Sequence, residues 1–338
     1  MKRIRILREA GGVGDVVRLF SVARAIREHF PAAGVWWFGL EYYRHLVYLC
    51  PAIDKQVTIE SSERRGRGQR PDARRHPYLG RAGDFDLTFD MYCPALVHEL
   101  ETGGACTMDR VELWLRALGE QYDGGPHSLW PRDVRPLIRV TPELREQALH
   151  WLAQRRLDPS RLVVLQPFST DLKRTWPMDR WVSLARELHR RGWQTLGIDC
   201  CSGRSRDLPG ARFTDNAPYR AAAIVEWARL CIAPDSGIFH VAASLGVPTL
   251  GLFGMTSGSL MVRPYGGAAH YIQGPPQRGC ASPCYARRER GCRRECRDRG
   301  CSVLCGINVE SVLTRAASLL APATSAARPR PASAAVTA

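Results

Sequence analysis

The sequence predicts an α/β protein built as two Rossmann-like domains facing a central cleft. Two observations carry that expectation. Strand-like and helix-like stretches alternate along most of the 338 residues, the pattern of parallel sheets covered on both faces. The alternation then starts afresh near residues 155–160, so the expected domains are 1–157 and 158–320, with 321–338 left as an Ala-, Pro-, Ser- and Thr-rich disordered tail.

The first run opens with a strand, Ile4–Arg8, and a turn containing Gly11, Gly12 and Gly14. The helix Val16–Phe30 follows, with apolar residues at helical spacing. After it come the strand "GVWWFGL", a helical "YYRHLVYLC", the short apolar "KQVTI", the alternating "DFDLTFDMY" and the helical "RVELWLRALG". Residues 61–81 have no apolar periodicity and are expected to form a mobile loop. "TPELREQALHWLAQRRL" reads as a helix capped by Thr141 with Pro142 in its first position. The second run repeats the scheme: strands "RLVVLQPFS", "WQTLGID", "LCIAPDSG" and "VPTLGLFG" alternate with helices "MDRWVSLARELHRRG", "YRAAAIVEWAR" and "IFHVAASLG". "NVESVLTRAASLL" is a last helix capped by Asn308.

Composition narrows the function classes. A hydrophobic content of 45% and a charged content of 24% are those of a globular protein. No apolar run reaches the ~20 residues that span a bilayer, and no signal peptide is visible, so the expected location is the cytoplasm. The formal net charge of +15 favours an acidic partner: a nucleotide, a nucleic acid or the inner face of the inner membrane, which it could contact peripherally. Seven arginines against two acids lie in 61–81, and seven against three in 285–300.

Three stretches carry chemistry. In "REAGGVGDVV" Asp15 falls in the first turn of a helix that follows a strand. It is either a helix-capping carboxylate or a base at the carboxyl end of a parallel strand. In "APDSGIFHVAASLGVPTLGLFG" Asp235, Ser236 and Gly237 end a strand and open a helix, with His240 on its first turn. That arrangement suits an anion, and capping alone is the plain alternative. In "QPFSTDLKRTWP" Ser169 and Thr170 follow a strand, with Lys173 and Arg174 close behind, a set that suits a diphosphate.

Twelve cysteines in a chain expected in the cytoplasm are no disulfide framework. Six of them form three Cys-x-x-x-Cys pairs: Cys280 and Cys284, Cys292 and Cys296, Cys301 and Cys305. Four of these six could hold one structural zinc or iron; reduced free thiols are the alternative. The neighbouring arginines are expected to lower the thiol pKa values.

Together the three stretches resemble glycosyltransferase family 9, the ADP-heptose:lipopolysaccharide heptosyltransferases. The resemblance rests on Gly14-Asp15, on Arg174-Thr175-Trp176-Pro177, and on Asp235 to Ala243 followed by Gly246-Val247-Pro248 and Leu252-Phe253-Gly254. "RPYG" at 263–266 fits as well. It implies a GT-B architecture with an acceptor-side first domain and a nucleotide-sugar-binding second domain. It also implies an inverting transfer with no catalytic cofactor. Asp15 would be the base, Gly12 and Gly14 would admit the acceptor, and Ser169, Thr170, Lys173, Arg174, Asp235, Ser236, Gly237 and His240 would hold the donor. The implied donor is an ADP-sugar and the implied acceptor an anionic lipopolysaccharide precursor. Protein-modifying relatives that bind iron through cysteines make a protein hydroxyl the alternative acceptor.

Three departures stand out. Arg174 replaces the family's usual lysine. Asp199 in "GIDCCSGRS" only weakly replaces the acid that meets the donor ribose. The cysteine segment is richer than in the plain lipopolysaccharide enzymes. A non-catalytic nucleotide- or nucleic-acid-binding protein is the rival of another class, but no nucleic-acid recognition motif is present. A nicotinamide-dependent dehydrogenase is disfavoured because "GGVGDV" is not G-x-G-x-x-G.

Overall fold

The computed structural model describes residues 1–8, 11–59, 84–91, 107–169, 171–199, 204–215, 217–278, 280, 282–284, 296 and 300–321. Contacts divide the chain into two compact units, Met1–Arg139 with Arg263–Tyr265, and Val140–Val262 with Gly266–Ala338. Among the described residues no helix is long and apolar enough to cross a membrane. The expected loop at 61–81 and tail after 321 lie outside the described residues, apart from Ala321.

The first unit is built on a parallel sheet of four strands: β1 (Arg3–Arg8), β2 (Gly34–Gly39), β3 (Lys55–Thr58) and β4 (Leu87–Asp90), in the order β3-β2-β1-β4. Chain order reverses at β1, which pairs with β2 on one side and β4 on the other. Ligands of open α/β sheets bind beyond the carboxyl ends of the strands at such a reversal. Helix α1 (Val13–His29) leaves β1 there and buries Val16, Val17, Leu19 and Phe20 on the sheet. The predicted helical stretch after β2 is a 3-10 turn, Glu41–Tyr43, continued by the single turn α2 (Arg44–Val47). Helix α3 (Arg110–Asp123) is capped by Asp109, whose carboxylate accepts from the Glu112 N–H at 2.8 Å.

The second unit opens with helix α4 (Pro142–Gln154), capped as predicted by Thr141. Its sheet contains β5 (Leu162–Leu165), β6 (Gln194–Ile198), β7 (Ala211–Phe213), β8 (Leu230–Pro234), β9 (Thr249–Phe253) and β10 (Ala269–Gln273). All pair in parallel, in the order β10-β9-β8-β5-β6-β7, so the reversal lies between β5 and β8. Helix α5 (Met178–Arg190) presents Trp181, Leu184, Ala185 and Leu188 at i, i+3, i+4 and i+7. These join Val163, Leu165, Ile232 and Leu250 in the core. Helices α6 (Pro218–Val225), α7 (Gly237–Ser244) and α8 (Gly258–Val262), the turn α9 (Ser302–Cys305) and helix α10 (Val309–Leu320) complete the unit.

The units divide at 139/140 rather than at the junction of 157/158 expected from the sequence. The reason is that α4 belongs to the second unit. Arg145 meets the buried Glu226 carboxylate with both Nε and Nη2 at 2.8 Å, a bidentate pair that fixes α4 beside the end of α6.

Candidate active site

Gly11 has φ +117°, and a Cβ there would come within 2.5 Å of the Arg8 Nη2 atom. The backbone of this turn therefore requires glycine at that position. Gly12 is the N-cap of α1, so Asp15 is not the capping residue but the third residue of the helix. Its Oδ2 accepts from the Gly12 N–H at 3.3 Å, which leaves the carboxylate at the helix start. A Cβ on Gly12 would meet nothing within 4 Å among the described residues. The carbonyl of Gly14 accepts from Arg18 Nε at 3.1 Å.

Three guanidinium groups surround the Asp15 carboxylate. Arg18 Nη2 lies 2.8 Å from Oδ1, Arg110 Nη1 3.7 Å from Oδ1, and Arg8 Nη2 3.8 Å from Oδ2. Burial alone would push the carboxyl pKa up. The charges of Arg18, Arg8 and Arg110, with the Gly12 N–H, overcome it and pull the value down to about 2. Arg8 is held by donating to the Met91 carbonyl at 2.6 Å. Arg8 and Arg18 each stand 5.7 Å from the ring of buried Trp114 on α3. Tyr43 donates to the Gly11 carbonyl at 2.7 Å, and burial and the Asp15 charge push its hydroxyl pKa up.

In the second unit the predicted residues gather on Asp235, at the carboxyl end of β8. Arg174 Nη1 donates to its carbonyl at 3.2 Å and lies 3.6 Å from Oδ2. Ser169 Oγ donates to the same carbonyl at 3.2 Å, and His240 Nε2 lies 3.5 Å from Oδ1. Asp235, Ser236 and His240 are all buried. Ser236 occupies the N-cap position of α7 but makes no side-chain cap hydrogen bond. Among the described residues its hydroxyl has no hydrogen-bond partner. Capping therefore does not account for this serine, and a buried hydroxyl without a partner is costly unless a ligand meets it. Thr256, after β9 and absent from the sequence reading, buries a second such hydroxyl.

Gly237 is the first residue of α7. Lys173 lies in a 3-10 turn, Leu172–Arg174, capped by Asp171. Trp176 anchors the same loop, fully buried, with Nε1 donating to the Ile307 carbonyl at 3.0 Å. Asp199 is buried after β6. Thr170 lies outside the described residues.

The cysteine segment behaves differently from its sequence expectation. Cys284 and Cys301 are buried in the core of the second unit with Val303, Leu304 and Ile307, so part of the segment packs on apolar neighbours. Gly254 makes room for it: a Cβ there would come within 2.6 Å of Leu304 and 2.9 Å of the Cys301 sulfur. Burial pushes the thiols of Cys301 and Cys305 up, against the expected lowering by arginines. Among the described residues no three His, Cys, Asp or Glu side chains form a metal-holding group. Cys280, Cys284, Cys296, Cys301 and Cys305 are free thiols, and Cys292 lies outside the described residues.

Residues 219–294 match the model of glycosyltransferase family 9 (heptosyltransferase). Lipopolysaccharide heptosyltransferase 1 of Pseudomonas aeruginosa is 35% identical over 98 residues, 26% of this chain and 27% of that protein. The fold matches the ADP-heptose lipopolysaccharide heptosyltransferase II of E. coli with a TM-score of 0.67 at 17% identity, covering 95% of this chain and 98% of that one. It also matches TibC, an iron-containing dodecameric glycosyltransferase of enterotoxigenic E. coli, with a TM-score of 0.59 at 16% identity, covering 94% of this chain and 76% of that one. The family match falls on the stretch that holds Asp235, Ser236 and His240, within a fold shared along nearly the whole chain. The likeness to glycosyltransferase family 9 is carried in sequence by residues 219–294, and in fold by nearly the whole chain.

Proposed function

We propose that this protein transfers a heptose from ADP-heptose to an acceptor hydroxyl, with inversion at the anomeric carbon. The observation that carries the reading is the Ser236 hydroxyl, without a partner among the described residues and buried where Arg174, Ser169 and the start of α7 meet. In this reading the second unit holds the donor. Arg174, Lys173, Ser169, Thr170 and Ser236, with the Gly237 N–H, face the diphosphate, while Asp235 and His240 brace them. The first unit supplies the acceptor side and the base.

The acceptor oxygen attacks the anomeric carbon from the face opposite the diphosphate and forms the new C–O bond. Its proton passes to the Asp15 carboxylate. The bond from the anomeric carbon to the phosphate oxygen breaks, and its electron pair leaves on ADP. Arg174 offsets the charge that grows on the leaving group. No step calls on a metal.

The cluster of Arg8, Arg18 and Arg110 favours an acceptor with an acidic group beside its nucleophilic hydroxyl. Such an anion would draw guanidinium charge away from Asp15 and raise its basicity as the reaction begins. That supports a lipopolysaccharide precursor, with a protein hydroxyl as the second reading because an iron-containing neighbour shares the fold. We further propose one structural zinc or iron on four of the six cysteines between 280 and 305. The support is the Cys-x-x-x-Cys spacing of the segment and an iron-containing structural neighbour. Incubation with ADP-heptose and a lysate of a heptose-deficient strain, followed by mass spectrometry, should find one heptosyl residue added to the lipopolysaccharide core. Addition to protein alone would select the second reading, and addition to neither would overturn the function.

A further inference from the structure

A second hollow in the second unit plays no part in the proposed transfer. β7 is the edge strand of its sheet, flanked by α4 and α6. A cavity of about 280 Å³ lies among these three elements, and a neighbouring hollow of about 570 Å³ shares Arg155, Arg212 and Thr214 with it. The floor is aromatic and apolar. Trp151 meets Phe213 edge to face at 5.3 Å, with Leu144 and Ile224 beside them.

The rim is cationic. Arg155, Arg206, Arg212 and Arg220 converge from separate parts of the chain, against a single lining carboxylate among the described residues, Asp215. That carboxylate is already engaged by Arg220 at 2.8 Å. The Arg155 guanidinium lies over the Trp151 ring at 3.9 Å and donates to the Trp151 carbonyl at 3.4 Å, so it is positioned in advance. Arg206 and Arg212 are exposed, and their guanidinium groups make no hydrogen bond or ion pair among the described residues. Guanidinium groups gathered without counter-charge form a ready phosphate site, because their planar donors match phosphate oxygens in pairs.

We propose that this hollow is a second ligand site, for a phosphate ester with an apolar or aromatic body. The phosphate meets Arg155, Arg206 and Arg212, and the organic part lies on Trp151 and Phe213. None of the proposed donor residues lines it. β5 and β6 stand between β7 and β8, which at the usual strand spacing separates the two sites by roughly 14 Å. A phospholipid headgroup and a soluble phosphate ester share this chemistry.

Calorimetry with phenyl phosphate, and sedimentation with phosphatidylglycerol vesicles against phosphatidylcholine ones, test the site and its source. At least one probe should bind the wild type, and Arg206→Ala/Arg212→Ala should weaken that binding ten-fold or more. Arg190→Ala/Arg191→Ala, which removes the same charge from the C-terminal end of α5, should leave it unchanged. Dependence seen only with vesicles assigns a lipid headgroup; dependence seen only with phenyl phosphate assigns a soluble ester. Binding of neither probe, equal losses in the two double variants, or binding that falls only in Arg174→Ala would overturn the site.

Discussion

Asp15 and Asp235 occupy equivalent places in their two units, each beyond the carboxyl end of a parallel strand and at the start of a helix. Their surroundings differ. The Asp15 side chain keeps 23% of its surface exposed and collects three guanidinium groups. Asp235 keeps 7%, has Arg174 at 3.6 Å and His240 at 3.5 Å, and offers its backbone carbonyl to Ser169 and Arg174. A carboxylate that must exchange a proton with a substrate needs an open face. One that fixes the direction of phosphate-binding groups is better enclosed by them. In the proposed reading the same local position serves two duties, separated by exposure and by the number of cations.

The largest expected effect separates those duties by rate. Asp15→Asn keeps the size of the side chain but not its basicity, so transfer should fall by about two to four orders of magnitude. Steady-state assays with ADP-heptose read this directly; near-full turnover would make Asp15 a helix-terminus residue only. On the other side, Arg174→Ala should weaken ADP binding by roughly 10- to 100-fold, because a charged hydrogen bond to phosphate is lost. Ser236→Ala removes a neutral donor and should cost roughly 2- to 10-fold. Unchanged ADP affinity in both, by calorimetry, would defeat the phosphate assignment.

The Asp15 charge also bears on stability. Its folded pKa is about 2 against an ordinary 3.8, so its ionised form stabilises the fold above pH 3.8. That contribution is lost as the pH falls through about 2. A shift of this size corresponds to ~2 kcal/mol. Urea denaturation of wild type and Asp15→Asn should therefore differ by about that amount at pH 7, with the gap narrowing below pH 4. A gap that stays constant from pH 7 to pH 3 would show that the arginines do not act through this charge.

The smallest effect on either site is expected from metal removal. Elemental analysis should find close to one zinc or iron per chain. Chelation should loosen the 280–305 segment to proteolysis while ADP still binds, since Trp176 and the core hold the donor loop independently. Metal-free protein with an unchanged protease pattern would make the cysteines ordinary thiols.

Much of this was legible in the sequence, because the proposed donor residues fall in two short stretches of the chain. Ser169 to Arg174 and Asp235 to His240 each sit on one strand-to-helix connection, and their convergence follows from β5 and β8 being neighbours. The base environment was not legible. Arg8, Arg18 and Arg110 come from β1, α1 and α3, and only Arg18, one helical turn beyond Asp15, carried a local signal. The edge strands β7 and β10 were missed for a different reason. The first has three residues, and the second leaves Tyr271 41% exposed, so neither shows a buried apolar run. Helix α4 was identified correctly but assigned to the wrong unit, since the Arg145–Glu226 pair that places it spans 81 positions.

The division of labour between the two aspartates is tested most directly by a matched measurement on single preparations. Heptosyl transfer and ADP affinity are determined together for wild type, Asp15→Asn and Arg174→Ala. The expected result is that Asp15→Asn loses transfer and binds ADP as the wild type does, while Arg174→Ala loses ADP affinity. An Asp15→Asn protein that transfers heptose at close to the wild-type rate would contradict the account.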